Sequence, residues 1–198
     1  VLTTPLQDAM ASYAETLGIE LQDLVRVVLR AYAGEDDDLI TGLETGRIPE
    51  KEFAVSLAQR LSEVTPQPVD PTSVVDDIFM GMELEDEMLD AVGKAHSNGL
   101  KTALLSNSWS LRHYPPRAHL DDIFDVIVIS GEVGLRKPDP AIYRLTIERL
   151  GVPAQECVFV DDHPGHLKAA VDEGMTTVLH RTPAQTIEEL RALLGDVL

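Results

Sequence analysis

Three short stretches hold the residues best suited to chemistry: Ser106-Asn107, Lys137 and Asp161-Asp162. Ser106-Asn107 closes the apolar run Ala103-Leu104-Leu105, and Asp161-Asp162 closes Val158-Phe159-Val160. Lys137 lies in Arg136-Lys137-Pro138-Asp139-Pro140, where two prolines stiffen the chain around it. A hydroxyl, an amide and an ammonium suit the oxygens of a phosphate. Adjacent carboxylates project in different directions from an extended chain, so one can hold a cation while the other orients its neighbours. Few, hard oxygen ligands suit Mg²⁺, which keeps water and phosphate oxygens in its shell. Each residue also has an ordinary structural use. Asp162 could cap a helix beginning at Pro164, Lys137 could be a solvated surface cation, and Ser106 a strand-end turn residue. Trp109, the single tryptophan, serves as readily in packing as in a substrate wall.

The elements that must position these residues fall into two kinds. From about Leu6 to Met82 the apolar residues recur at helical spacing, as in Leu21, Leu24, Val25 and Val28 or Phe53, Leu57 and Leu61. Pro49 suits a first-turn position. Asp70 is expected to cap a helix carrying Val74, Val75 and Ile78, and Gly34, Gly42 and Gly46 to punctuate the connections. Beyond Glu83, helices alternate with strands. The expected strands are Leu100–Leu105, Asp125–Ile129, Cys157–Val160 and Met175–Leu179, with helices around Met88–Val92, after Asp139-Pro140, from Pro164 to Glu173 and after Thr182-Pro183. Alternation of this kind predicts an α/β fold, a Rossmann-like parallel sheet covered by helices. Ligands of such sheets bind beyond the carboxyl ends of the strands, where Ser106-Asn107 and Asp161-Asp162 both fall.

Composition narrows the possibilities further. The 198 residues carry a formal net charge of -18, which opposes nucleic-acid binding. No apolar run approaches the roughly 20 residues of a membrane helix, and no signal or transit segment opens the sequence. The single cysteine, Cys157, leaves no internal disulfide and is expected to be a buried, inert thiol, in keeping with a cytoplasmic location. The acidic run Glu35-Asp36-Asp37-Asp38 lacks the ligand spacing of a calcium loop and reads as a solvated helix start.

Together these motifs resemble the haloacid dehalogenase (HAD) superfamily of aspartate-nucleophile hydrolases, over essentially the whole chain. Ser106-Asn107 matches the family's second motif, Lys137 its third and Asp161-Asp162 its fourth. The helical segment resembles the cap inserted in the family's first subclass. The closest likeness is to the N-terminal phosphatase domain of soluble epoxide hydrolases and to bacterial sugar-phosphate phosphatases. The resemblance implies a helical cap over 5–84 and an α/β core made of 1–4 and 85–198. It also implies a Mg²⁺-dependent phosphatase of a small phosphorylated metabolite, acting through an aspartyl-phosphate. Ser106 and Asn107 would hold the phosphate, with Ser106 and Lys137 serving catalysis. Asp162 would ligate the metal directly, with Asp161 beside it.

Two departures from the family pattern stand out. His166 occupies a position where relatives often carry Asn or Asp, and the neighbouring His163 does not complete a zinc set. More consequentially, the first motif reads roughly Asp-x-x-Gly-Val-Leu-Thr in the family, and only Val1-Leu2-Thr3 stands here. The nucleophile and the first, central strand are therefore expected to be missing from these residues, through a misplaced start, a truncation or a true pseudoenzyme. The expectation for this polypeptide is inactivity, with self-association if the sheet is left open. A non-catalytic phosphate-binding protein and a metal-free 2-haloacid dehalogenase are the alternatives.

Overall fold

The computed structural model describes residues 1–32, 37–110, 112, 119–195 and 197–198. Gly34, Glu35 and Asp36 lie outside the described residues, so the reading of the acidic run is met only where Asp37 and Asp38 open a helix. Helices α1 (Leu6–Leu17), α2 (Leu21–Tyr32), α3 (Asp37–Glu44), α4 (Glu50–Ser62) and α5 (Val74–Phe79) form the first part of the chain. Their apolar faces meet in one cluster that includes Tyr13, Leu24, Leu43, Phe53, Leu57, Leu61 and Val74. The stripe expected on α2 is rotated slightly: Leu24 and Val27 are buried, whereas Leu21 in the first turn stays exposed. Asp70 does not cap α5. Its carboxylate accepts from the Thr72 N–H and hydroxyl, closing a turn one step earlier, and Ser73 precedes the helix. Gly42 sits inside α3 rather than in a connection.

The segments flanking these helices are tied to each other. Thr3 bridges Leu84 antiparallel, the Thr4 N–H donates to Glu83 C=O at 2.9 Å, and the Glu85 N–H donates to Leu2 C=O at 3.0 Å. From there helices and strands alternate: α6 (Asp86–Ser97), β1 (Ala103–Ser106), α7 (Leu120–Ile123), β2 (Val126–Ile129), α8 (Ser130–Val133) and α9 (Pro140–Leu150). β3 (Val158–Asp161), α10 (Pro164–Asp172), β4 (Thr176–Leu179) and α11 (Pro183–Leu194) complete the fold. Caps read from sequence hold here. Asp139 and Thr182 accept from backbone N–H groups of the helices they start, and Gly151 stops α9 at a φ of 69°.

The sheet is parallel, as the alternation requires, and it is split. β1 pairs with β2 in the register Ala103↔Val126 to Ser106↔Ile129, and β3 pairs with β4 from Val158↔Thr176 to Asp161↔Leu179. Among the described residues, β1 and β3 do not pair with each other. A cavity of about 660 Å³ separates them, walled by Leu104 and Leu105 on one side and by Val158, Phe159 and Val160 on the other. The two halves are joined beneath it by a cluster that packs Val128 of β2 against Ile142 and Tyr143 of α9 and Ala170 of α10. No helix among the described residues is long and apolar enough to cross a membrane.

The helical part meets the sheet at a backbone contact that only glycines permit. Gly46, at φ 69°, would place a Cβ 2.3 Å from the Gly131 carbonyl oxygen, and a Cβ on Gly131 would lie 2.6 Å from the Trp109 Cα. Gly46→Ala is therefore expected to cost about 2 kcal/mol or more, from the left-handed penalty plus the clash with backbone. Urea denaturation checks this, and an unchanged midpoint would show the contact to be loose.

Candidate active site

The three polar sets converge on the cavity between the half-sheets. Ser106, Asn107, Lys137, Asp161, Asp162 and His166 all line it: the first two and the two aspartates at the carboxyl ends of β1 and β3, Lys137 in the loop between α8 and α9, and His166 in the first turn of α10. Lys137 is 7% exposed and Asp161 4%, and the Lys137 ammonium donates to Asp161 Oδ2 at 2.6 Å. Lys137 is thus no surface cation. Its Nζ also stands 5.6 Å from the centre of the Phe159 ring.

Asn107 supplies the means of holding the lysine there. Its side-chain carbonyl accepts from the Lys137 N–H at 2.8 Å, and its amide donates to Lys137 C=O at 3.0 Å. The side chain expected to touch phosphate uses its carbonyl and one amide N–H to clamp the Lys137 backbone to the end of β1. A second tie joins the same strand ends. Ser130, fully buried, accepts from the Ser108 N–H and donates to Ser108 C=O, both at 3.0 Å. Nothing in its sequence neighbourhood marks Ser130. It is found only once β1 and β2 are seen side by side.

Both oxygens of Asp161 are engaged. Beyond Lys137, its Oδ1 accepts from the His163 N–H at 2.8 Å and lies 2.9 Å from His166 Nδ1. Burial pushes the Asp161 carboxyl up, but the His166 hydrogen bond, the Lys137 charge and the His163 N–H outweigh it and hold the group well below the usual carboxylate range. His166 therefore takes up a hydrogen bond to the buried acid, in the position where the family pattern departs. His163, not Asp162, caps α10, its ring accepting from the Gly165 N–H at 3.1 Å. Asp162 is exposed on the cavity rim. Cys157 is half-buried rather than buried, and burial raises its thiol, in keeping with an inert group.

The acid sensitivity of this region has a definite sign. Burial lowers the His180 imidazole below its ordinary 6.5, against opposing charges from Asp162 and Glu85. Its share of stability is complete above that value and is lost as pH falls through the folded-state value. The depressed Asp161 adds a share that is complete above about pH 4 and disappears at lower pH. Stability is expected to decline in two stages on acidification, the first beginning near pH 6.5. Unfolding midpoints measured from pH 8 to pH 3 test this, and a flat profile down to pH 4 would contradict the first stage.

Trp109 leaves the strand end and enters the helical part. Its ring lies 5.5 Å from Phe79 edge-on and 6.1 Å from Phe53, and its Nε1–H donates to Glu50 at 2.7 Å. It is both packing and wall, because a second cavity of about 230 Å³ opens beside it, between the helices and Ser106-Asn107-Ser108. Arg136 spans the same boundary, donating to the Thr41 hydroxyl at 2.8 Å and pairing with the buried Glu44 at 3.0 Å.

Parallel strands under helices, with a buried cation–carboxylate pair at their carboxyl ends, define an α/β fold whose candidate site lies across the strand ends. The chain belongs to the haloacid dehalogenase-like hydrolase family, whose description matches residues 2–174. It is 34% identical over 115 residues to bifunctional epoxide hydrolase 2 of Rattus norvegicus, covering 54% of this chain and 21% of that protein. It is 35% identical over 99 residues to phosphatase MT3486 of Mycobacterium tuberculosis, covering 48% of this chain and 46% of that protein. The chain thus spans less than half the length of these curated relatives. In fold it is similar to a HAD family enzyme of Bacteroides thetaiotaomicron solved with magnesium and inorganic phosphate, at a TM-score of 0.68 and 20% identity over 91% of this chain and 89% of the other.

Proposed function

We propose that this chain forms the phosphate- and Mg²⁺-binding part of a phosphatase that acts on a small phosphorylated metabolite. The observation that carries the reading is the buried Lys137–Asp161 pair, which lines the same cavity as Ser106 and Asp162. Lys137 has three N–H donors and gives one to Asp161, which leaves donor capacity for phosphate oxygens. Ser106 is the hydroxyl donor at the end of β1. Asn107, Asp161 and His166 act as positioning residues that hold the lysine and the strand ends in place.

The donor set fits magnesium in a specific way. Both Asp161 oxygens are engaged within the protein, so Asp162, at the open rim, is the residue that would hold the ion, with water and phosphate completing its shell. When bound, the ion would offset phosphate charge. In this reading residues 5–84 serve as the cap, with 1–4 and 85–198 as the core.

Of the carboxylates lining the cavity among the described residues, none is placed as the attacking group: Glu156 precedes β3, at the end away from Ser106 and Lys137, Asp161 is committed to its partners and Asp162 to the metal. The reading therefore assigns the nucleophilic aspartate to a further strand occupying the space between β1 and β3, and holds residues 1–198 alone to be inactive. The test is p-nitrophenyl phosphate hydrolysis with Mg²⁺, by the chain alone and by the chain extended at Val1 with an apolar strand carrying an aspartate. Turnover by the extended form alone supports the reading. Phosphate binding without turnover in either form would favour the non-catalytic alternative, and metal-free chloride release from a 2-haloacid would favour a dehalogenase.

A further inference from the structure

The segment that carries Lys137 is anchored to β1 at both of its ends. The β1–β2 ladder stops at Ser106↔Ile129, and Ser130, the next residue after β2, is fully buried where α8 begins. Its hydroxyl donates to Ser108 C=O and accepts from the Ser108 N–H, and the Gly131 N–H donates to the same carbonyl at 2.9 Å. The single turn of α8 follows, closed by the Gly134 N–H on Ser130 C=O at 2.9 Å. The chain then returns to the same strand end at Lys137, whose N–H and C=O are both held by Asn107. Residues 130–137 thus form a bracket whose two feet stand on Ser108 and Asn107, directly after Ser106.

We propose that Ser130 is a positioning residue of the phosphate site: without touching the ligand, its hydroxyl fixes where Lys137 stands relative to Ser106. The proposal rests on the phosphate reading above and extends it to a residue that is not among those lining either cavity. The hydroxyl spends its hydrogen on a backbone carbonyl and a lone pair on a backbone N–H. Ser130 is fully buried, so removing that oxygen leaves the Ser108 N–H unpaired, while the Ser108 carbonyl keeps Gly131. The strand end relieves the orphaned N–H by shifting away from β2, and Asn107, one residue earlier, shifts with it. Through Asn107 the displacement reaches the Lys137 backbone, while the lysine's ammonium stays bonded to Asp161 on the other half-sheet. Donors that must stand within about 0.5 Å of their working places then no longer do.

Amide hydrogen exchange followed by NMR, with calorimetric titration of inorganic phosphate in Mg²⁺, tests the proposal on the wild-type chain, Ser130→Ala and Ser62→Ala. Ser62 is the matched control in the helical part, its hydroxyl donating to Ala58 C=O at 2.7 Å and accepting from the Val69 N–H at 2.9 Å. In Ser130→Ala the Ser108, Gly131 and Lys137 N–H groups are all expected to exchange at least about tenfold faster. Phosphate affinity should fall about tenfold in the same variant. Ser62→Ala should lose comparable stability and leave both the Lys137 N–H and phosphate affinity unchanged. Faster exchange at Ser108 and Gly131 alone, with phosphate affinity kept, overturns this inference and makes Ser130 a local tie. An equal loss of affinity in Ser62→Ala overturns it as well, since general loosening then accounts for both. Should Ser130→Ala fail to fold, exchange in the wild type decides. The Ser108 and Lys137 N–H groups should open together, and opening of Lys137 at least about tenfold more often than Ser108 overturns the inference. Failure of the wild-type chain to bind inorganic phosphate overturns the phosphate reading and this role with it.

Discussion

Lys137→Met is expected to destabilise the chain by about 3–5 kcal/mol, the cost of leaving one partner of a buried ion pair uncompensated. At 4% exposed, Asp161 has little access to water, and the 2.6 Å bond from Lys137 brings a full positive charge to it. His163 N–H and His166 would remain, and they would stabilise the carboxylate only in part. The effect should shrink when the charge is removed from the other side. Lys137→Met combined with Asp161→Asn is expected to lose less stability than Lys137→Met alone, since the amide keeps hydrogen-bonding capacity without a buried charge. The deficit of the single variant should also narrow in acid, where Asp161 takes up a proton. Chemical denaturation of the wild type, both single variants and the double variant gives the cycle. Additive losses would show that the pair does not hold this part of the fold together.

Extending the chain at Val1 with an apolar strand that bears an aspartate is expected to raise p-nitrophenyl phosphate hydrolysis by at least about 10³-fold, the scale on which a missing nucleophile acts. It should raise stability at the same time. β1 and β3 each run for four residues along walls of the same cavity. A strand between them would pair with both, and each buried backbone group that gains a partner avoids a penalty of about 1–3 kcal/mol. Val1 itself lines the cavity beside Asp161 and Asp162, so residues joined to its nitrogen enter the site directly. Replacing the added aspartate with asparagine separates the two effects, since turnover should vanish while the gain in melting temperature stays. A strand that brings neither would mean that the space between the half-sheets is not a strand site. Size measurement on the unextended chain follows the same logic, because open parallel edges favour pairing between copies.

The strand ends were legible because apolar runs stopped abruptly at polar residues: Leu104-Leu105 before Ser106, and Val158-Phe159-Val160 before Asp161. Periodicity marked the helices equally well, and the caps at Asp139 and Thr182 follow from local chemistry that needs no distant partner. Where the structure departs from these expectations, the reason is equally local. Asp70 and Pro71 form a turn before α5 because the Asp70 carboxylate finds Thr72 first, and His163 takes the capping place that Asp162 was equally suited to.

Roles within the site were a different matter. Sequence alone determined that a hydroxyl, an ammonium and two carboxylates stand where parallel strands of an α/β fold deliver side chains to a common edge. Only tertiary structure decided how they divide the work. Asn107 turns to the Lys137 backbone, Asp161 is consumed by Lys137, His163 and His166, and Asp162 is left at the rim. Ser130, Glu44 and Arg136 acquire their partners solely through contacts between segments far apart in the chain. The reason is physical. The tendency to form a strand or a cap is written in neighbouring residues, whereas burial and charge pairing, which decide what a carboxylate or an ammonium can do, depend on what the fold brings against it.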